Sequence, residues 1–366
     1  MAMNYATKYG SLIDEKFAEA SMTERAVNSD YDWNGVQSVV VYDVNTAPMN
    51  DYVASGSNRY GTPSELGNGT QTMTVGMDRS FTFTIDRKNY NDTQMAMEAG
   101  KALSRELEQV AIPEVDIYRI ARMIVSAGNV DGTAITKANA YEKFLDARAA
   151  IRKNKVPING VICYCSTDFY KKIKLDASFV KASDIGQNML ITGQIGRIDN
   201  IAVIEVPDEY LLGASFVLTH PVATTAVKKI EEYKIHDNPP GISGWLVEGR
   251  INYDAFVRTN KKGAIYAQIN GFTTTSVAGV ATKTKLSSSD IDLKLAVKAG
   301  FVLKYYAAAA TGYTAKVVGD DCSALDTYVL GSEIVVTSGH KVQLILCDST
   351  GKAIIPGTAV TVVLGS

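Results

Sequence analysis

An α+β protein of more than one domain, ending in an all-β unit, is the architecture that three features of the sequence predict. Apolar residues alternate with polar ones through Met73, Val75, Met77, Phe81, Phe83 and Ile85, the period of two that belongs to a strand with one buried face. Shortly after it, Met95, Ala99, Ala102, Leu103, Leu107 and Val110 recur at helical spacing. From Thr273 the composition shifts: Arg258 is the last arginine and Trp245 the last tryptophan, and short alternating runs separated by turn residues take over. A chain of 366 residues has the length of two or three domains of ~150 residues, each able to bury its own core.

Taken in order, residues 1–36 are polar with small apolar anchors at Tyr5, Leu12, Ile13 and Phe17. They read as an extended arm, with room for a short helix over Leu12–Ala26. Ser38–Val44 is a strand by its β-branched content. Asn45–Thr70 carries Asn, Gly, Ser and Thr with Pro48 and Pro63 and has no period, and loops beyond ~12–15 residues are usually functional. Met73–Ile85 taken as one strand would be ~43 Å long at ~3.3 Å per residue, against ~17–20 Å for a typical strand. A ribbon of that kind is not stable alone in water, so the surface it needs is expected on a neighbouring subunit. Arg79 is the one charge in the apolar phase and marks an inter-subunit ion pair or a local bulge.

The helix that follows is expected to start at an Asn91 or Asp92 cap with Gln94 as capping-box partner. It should kink near Ile112-Pro113, resume through Ile117, Ile120, Ala121 and Ile124, and end at Gly128. Lys137–Lys153 reads as a helix, Gly160–Cys165 as a buried strand and Thr167–Leu175 as a short helix. Gly193–Val206 reads as two strands about an Asp199-Asn200 turn. Phe216–His220, Ala223–Tyr233, Trp245–Arg258 and Ala264–Ile269 add extended structure. Beyond a Thr273–Ser289 linker, the runs Ile291/Leu293/Leu295/Val297, Val342/Leu344/Leu346 and Val360/Val362/Leu364 suggest a separate β-sandwich.

The composition excludes several classes. At 46% hydrophobic and 21% charged the chain is neither disordered nor collagen-like. A formal net charge of −2 gives no global attraction to nucleic acid or an anionic membrane. The N-terminus has no apolar stretch of the kind a signal peptide needs, and no segment approaches the ~20 apolar residues of a membrane span. Cys163, Cys165, Cys322 and Cys347 have no zinc-site spacing and read as reduced, buried thiols. His220, His236 and His340 have no ligand partners nearby. The motifs GxSxG, GxxxxGK[ST] and HExxH are missing, Gly193-Gln194-Ile195-Gly196 is too short for a dinucleotide fingerprint, and the adjacent acids Glu231-Glu232 and Asp320-Asp321 would face opposite ways in a strand. No catalytic, cofactor-binding or metal-binding residue is therefore assigned, and no enzyme activity is expected. The clusters Arg152-Lys153-Lys155, Lys171-Lys172-Lys174, Lys228-Lys229 and Lys261-Lys262 read as solvated faces, with weak, non-specific DNA contact as the alternative.

MTVGMDRSFTFTIDRKNYND, at Met73–Asp92, runs directly into QMAMEAGKALSRELEQV. Together with SLIDEKFAEASMTERAVNSDYDW, RYGTPSELG, NGVICYCSTDFYKKI and GQIGRIDNIAVIEVP it resembles the major capsid proteins of tailed bacteriophages, which have the Hong Kong 97-type fold. The resemblance covers about residues 1–272 and rests on the ordered set of motifs. It implies an N-terminal arm at 1–36, an E-loop ribbon and entry to the P-domain at 37–90, a P-domain spine helix at 91–128, an A-domain mainly at 129–235 and returning P-domain strands at 236–272. Residues 273–366 resemble the immunoglobulin-like sandwiches appended to some phage capsid proteins.

The implied function is self-assembly, as pentamers and hexamers, into an icosahedral shell enclosing double-stranded viral DNA. The implied location is the virion, after assembly in host cytoplasm. Implied partners are copies of the chain, a portal and a separate scaffolding protein, since no scaffolding segment precedes the arm. Candidate inter-subunit contacts are Met73, Val75, Met77, Arg79, Phe81, Phe83, Tyr60 and Phe17. Residues 38–87 contain no lysine, so no E-loop lysine cross-link is expected. An encapsulin-type compartment shell keeps the fold and changes the contents. A surface or tail adhesin binding carbohydrate through the β-unit leaves the ribbon and long helix unexplained.

Overall fold

The computed structural model describes residues 21–31, 33, 37–44, 46–63, 65–87, 98–177, 196–278 and 283–364. Tyr5, Leu12, Ile13, Phe17, Lys88, the expected helix caps Asn91 and Asp92, and Met95 lie outside them. Strand β1 (Ser38–Val44) pairs antiparallel with β2 (Asn68–Thr74), Ser38 opposite Thr74 and Val44 opposite Asn68, to form a two-stranded ribbon. Strand β3 (Met77–Asp86) belongs to a different sheet.

The expected single strand from Met73 to Ile85 is thus two strands broken at Val75-Gly76. The Val75 N–H donates to the Gln37 carbonyl (3.1 Å), and the Gly76 N–H leaves the ladder for the Asp254 carboxylate (2.8 Å). The apolar phase carries through the break, and for that reason it reads as continuous.

A long helical stretch follows: α1 (Glu98–Glu106), a π-helical turn at Leu107–Ala111, and α2 (Ile112–Val125). The interruption lies where Pro113 predicts it. Proline has no N–H for a carbonyl one turn back, and its ring crowds that carbonyl. The helix absorbs this by widening one turn rather than by breaking, and ends at Val125, earlier than the expected Gly128.

Three strands make the sheet beside this helix, in the order β3-β10-β9, with β9 at Thr224–Asp237 and β10 at Gly244–Val257. A six-stranded sheet has the order β4-β11-β8-β5-β7-β6. Its strands are β4 (Asn129–Asp131), β5 (Ile162–Cys165), β6 (Arg197–Ile198), β7 (Ile201–Glu205), β8 (Ala214–Thr219) and β11 (Ile265–Ile269). Helices α3 (Ala140–Lys153) and α4 (Thr167–Leu175) cover one face.

Alternation divides the side chains of this sheet between two cores. Ile162, Tyr164, Val217 and Ala267 face the core that contains α2. Cys163, Cys165, Phe216, Leu218 and Tyr266 face Phe144, Ile151 and Phe169 of α3 and α4. The predicted turn is present, with Asp199 and Asn200 at φ 46° and 70°, the pair of positive values a tight hairpin requires.

The C-terminal region is built on short strands joined by loops: β12 (Thr275–Ala278), β13 (Lys283–Ser287) and β15 (Glu333–Val335) in one sheet, β14 (Val302–Ala309), β16 (His340–Cys347), β17 (Ala353–Pro356) and β18 (Val360–Thr361) in another. Two expectations change here. The Thr273–Ser289 linker is the hairpin β12–β13, Thr275 opposite Ser287. The Ile291–Val297 alternation is not a strand but helix α5 (Leu293–Lys298), because the Asp292 carboxylate accepts from the Lys294 and Leu295 N–H groups (2.8 and 3.1 Å) and starts a helix.

The unit is also not tethered loosely. Leu293, Leu295, Leu344 and Ile355 share one continuous core with α2 and the sheets before it, and Arg122 of α2 donates to the Ala255 and Ala299 carbonyls (2.8 and 3.0 Å).

Candidate assembly surfaces

The β1–β2 ribbon has two unlike faces. Val39, Val41 and Met73 turn inward onto a small cluster with Trp33, Val75, Val227 and Phe256, where the Trp33 and Phe256 rings stack with centroids 5.7 Å apart. Val40 and Tyr42 turn outward and are exposed. Beyond the strands, Met49, Tyr52, Val53, Tyr60 and Leu66 are exposed too, Met49 at 98% and Tyr60 at 84%.

The loop still has internal order. Val53 N–H donates to the Arg59 carbonyl (3.0 Å) and Gly61 N–H to the Asn58 carbonyl (2.9 Å), while Tyr52 and Tyr60 meet edge to face at 5.2 Å. Single exposed apolar residues are ordinary. A run of them on one projecting element is the mark of an interaction surface.

The structure sorts the predicted contact residues. Tyr60 stands at the exposed loop. Met73, Val75 and Met77 are 1%, 5% and 7% exposed, so their side chains are covered by their own chain. Phe81 and Phe83 are half-buried and stack 6.4 Å apart against the core of their own sheet. Phe81 lies on Gly249, where a β-carbon would come within 2.3 Å of its ring.

Arg79 is paired within its own chain and marks no bulge. Its Nε donates to Glu114 Oε1 of α2 (2.6 Å) and its Nη2 to Oε2 (3.2 Å), and the pairing with β10 runs past it without a register shift. The Glu114 carboxylate holds the Arg79 guanidinium above its ordinary range. Phe17 lies outside the described residues.

Sequence reasoning missed the buried polar groups that lock these elements together. Asp116 of α2 is 1% exposed. It accepts from Ser21 Oγ (2.7 Å), the Met22 N–H (2.9 Å) and Thr23 Oγ1 (2.5 Å). Arg119, one turn on and also buried, donates to Thr23 Oγ1 (3.1 Å) and Glu24 Oε2 (2.9 Å). The base of the arm is therefore clamped to the helix through charge-assisted hydrogen bonds.

Asp254 does the same for the break before β3, accepting from Gly76 and from the Tyr118 hydroxyl (2.7 Å). Burial raises Tyr118, and the nearby Asp254 carboxylate raises it further. The available signal was spacing: Asp116 and Arg119 sit inside an apolar helical face, where an unpaired charge is costly.

Among the described residues no group of acids, histidines or cysteines is placed to hold a metal ion, and no helix is long and apolar enough to cross a membrane. All four cysteines are free and buried. Burial pushes the thiols of Cys165 and Cys347 up to about 12, so they are not poised as nucleophiles.

The fold is similar to a chain of Mycobacterium phage Che8 (17% identity, TM-score 0.55, 69% of this chain and 90% of that one). It is also similar to the mature capsid of bacteriophage PhiM1 (9%, 0.54, 68% and 86%) and to the acid-stable capsid of Helicobacter pylori bacteriophage KHP30 (13%, 0.52, 67% and 87%). These likenesses establish the Hong Kong 97-type fold. Comparison with curated proteins finds no match. Residues 72–267, more than half of the chain, match the family described as phage capsid protein. The match begins in β2 and ends in β11, spanning the sheets and the helix that hold the ribbon, and the chain belongs to the phage capsid protein family as a structural subunit of the virion shell.

Proposed function

We propose that this subunit assembles through its β1–β2 ribbon into a closed icosahedral shell of pentamers and hexamers around double-stranded viral DNA. The observation that carries the reading is the ribbon itself: Val40, Tyr42, Tyr52, Val53, Tyr60 and Leu66 are exposed on one projecting element. Burying an apolar side chain of this size contributes roughly 1.5–3 kcal/mol, and each copy presents several. A ribbon reaching over the next subunit is a head-to-tail contact, which closes into a ring when the rotation allows.

The base of the arm, tied to α2 at Asp116 and Arg119, makes the arm a second candidate contact. A scaffolding protein sets shell curvature, a portal occupies one vertex, and DNA is held by weak, non-specific contact consistent with a net charge of −2. Assembly takes place in the host cytoplasm.

Electron microscopy of the protein expressed with and without its scaffolding partner tests this. Rings, tubes or closed shells are the expected outcome. A monomer indifferent to concentration under both conditions would contradict it.

A further inference from the structure

The central strands β5, β8 and β11 lie side by side, β8 antiparallel to both neighbours, and their two ends carry opposite charge. At one end, where β5 and β11 start and β8 finishes, a cleft of about 530 Å³ is lined by Lys155, His220 and Lys261. The Asn154 side-chain amide donates to the Gly263 carbonyl (3.0 Å). That bond joins the chain segment of Arg152, Lys153 and Lys155 to that of Lys261 and Lys262, far apart in sequence, and Lys155 and Lys261 line the same cleft.

Lys261 Nζ donates to the Val222 carbonyl (3.0 Å). Among the described residues Arg152, Lys153, Lys155 and Lys262 have no ion-pair partner. The acids near this end are Asp30, which faces Lys261, and Asp43, which accepts from Asn260 (2.9 Å).

At the other end, ~20 Å away for the six residues of β8, Asp168, Asp208 and Asp290 line a second cleft with Ser215 and Asn270. Exposed Glu205 and Glu209 flank it. Helix α4 beside it carries Lys171, Lys172 and Lys174, of which Lys172 is paired with Asp168 at 2.6 Å. The ribbon is rooted at the basic end: the Thr259 N–H donates to Gln71 Oε1 (3.1 Å) and Asn260 to Asp43.

We infer that the basic end of one subunit receives the acidic end of the next copy in the ring. The inference rests on the assembly reading above and deepens it. Opposite charge at opposite ends of one set of strands suits a head-to-tail contact and disfavours a two-fold one, which would face like with like. The ribbon and the basic end then engage the same neighbour, the ribbon by apolar contact and the cleft by charge, which sets the direction of the ring.

Charge reversal on each side, and on both together, tests it. Lys155→Glu with Lys262→Glu should lower shell yield at least about tenfold at low salt, since like charges across an interface are strongly disfavoured. Asp208→Lys with Glu209→Lys should do the same. A chain carrying all four changes should recover most of the yield, because every contact is again complementary. Thermal melting of unassembled subunits checks that each variant folds.

Two results would overturn the inference alone, given normal wild-type shells: single-sided variants that assemble like wild type, or no rescue in the fourfold variant. Normal shells of Lys155→Glu/Lys262→Glu that lose their DNA would also overturn it and give the basic end to the packaged polyanion. Failure of the wild type itself to form shells would fall on the assembly reading.

Discussion

Lys304 shows how much a single buried side chain holds in this molecule. It is 8% exposed and donates to the carbonyls of Cys322, Ser323 and Leu325 at 2.9, 2.8 and 3.0 Å, so each ammonium proton has an acceptor and a loop is pinned to β14. Lys304→Met keeps the stem and orphans three carbonyls. The expected cost is about 2–4 kcal/mol, read as a lower denaturant midpoint of the unassembled subunit. A loss below about 0.5 kcal/mol would mean the loop holds itself.

At this scale the sequence was a poor guide. Nothing in the apolar run around Lys304 marks it as buried, and Asp116 stands as a lone charge on an apolar helix face. Their partners lie 18 to 21 residues away for Lys304 and 93 to 95 away for Asp116, and no local pattern announces them. Arg79 misled in the other direction: its charge in an apolar phase was visible, but the Glu114 that satisfies it, on α2, was not.

Among elements, the helices and most strands were legible because their periods are local. Thr167–Leu175 was read with its observed bounds, and the π-turn follows from Pro113. Two of the misreadings share a cause. Met73–Ile85 and Ile291–Val297 both alternate, yet alternation fixes only which residues are buried, not what the backbone does between them. Asp254 splits the first run into strands of two sheets, and Asp292 caps the second into a helix.

The sheet β3-β10-β9 carries an exposed cross-strand pair, Arg250 with Asp78, at 2.9 and 2.6 Å. The hydrogen bond from Arg250 holds the Asp78 carboxyl below its ordinary value of 3.8. A carboxyl lowered in the folded state stabilises the fold above its unfolded pKa, and that contribution is lost as pH falls through the folded pKa. Asp78→Asn is therefore expected to lower stability slightly at pH 7, as exposed pairs do, with the difference from wild type closing as pH falls below 3.8 and through the folded pKa. A difference that persisted unchanged in acid would show that the pair contributes nothing through charge.

On the scale of the whole molecule, the proposed assembly uses parts of the chain that folding does not. Helix α2 sits among the arm base, both sheets beside it and the C-terminal unit, whose Leu295 and Leu344 belong to the same core. The β1–β2 ribbon rests on that body by its inner face alone and leaves its outer face and loop uncovered. Separability follows: replacing residues 46–66 with a short Gly-Ser turn removes exposed side chains and leaves the body intact.

The most direct measurement compares this ribbon-trimmed chain with wild type, by thermal melting of the unassembled subunit and by shell yield in the electron microscope. The expected result is a melting temperature within a few degrees of wild type and no closed shells. Shells of normal yield from the trimmed chain would contradict the account.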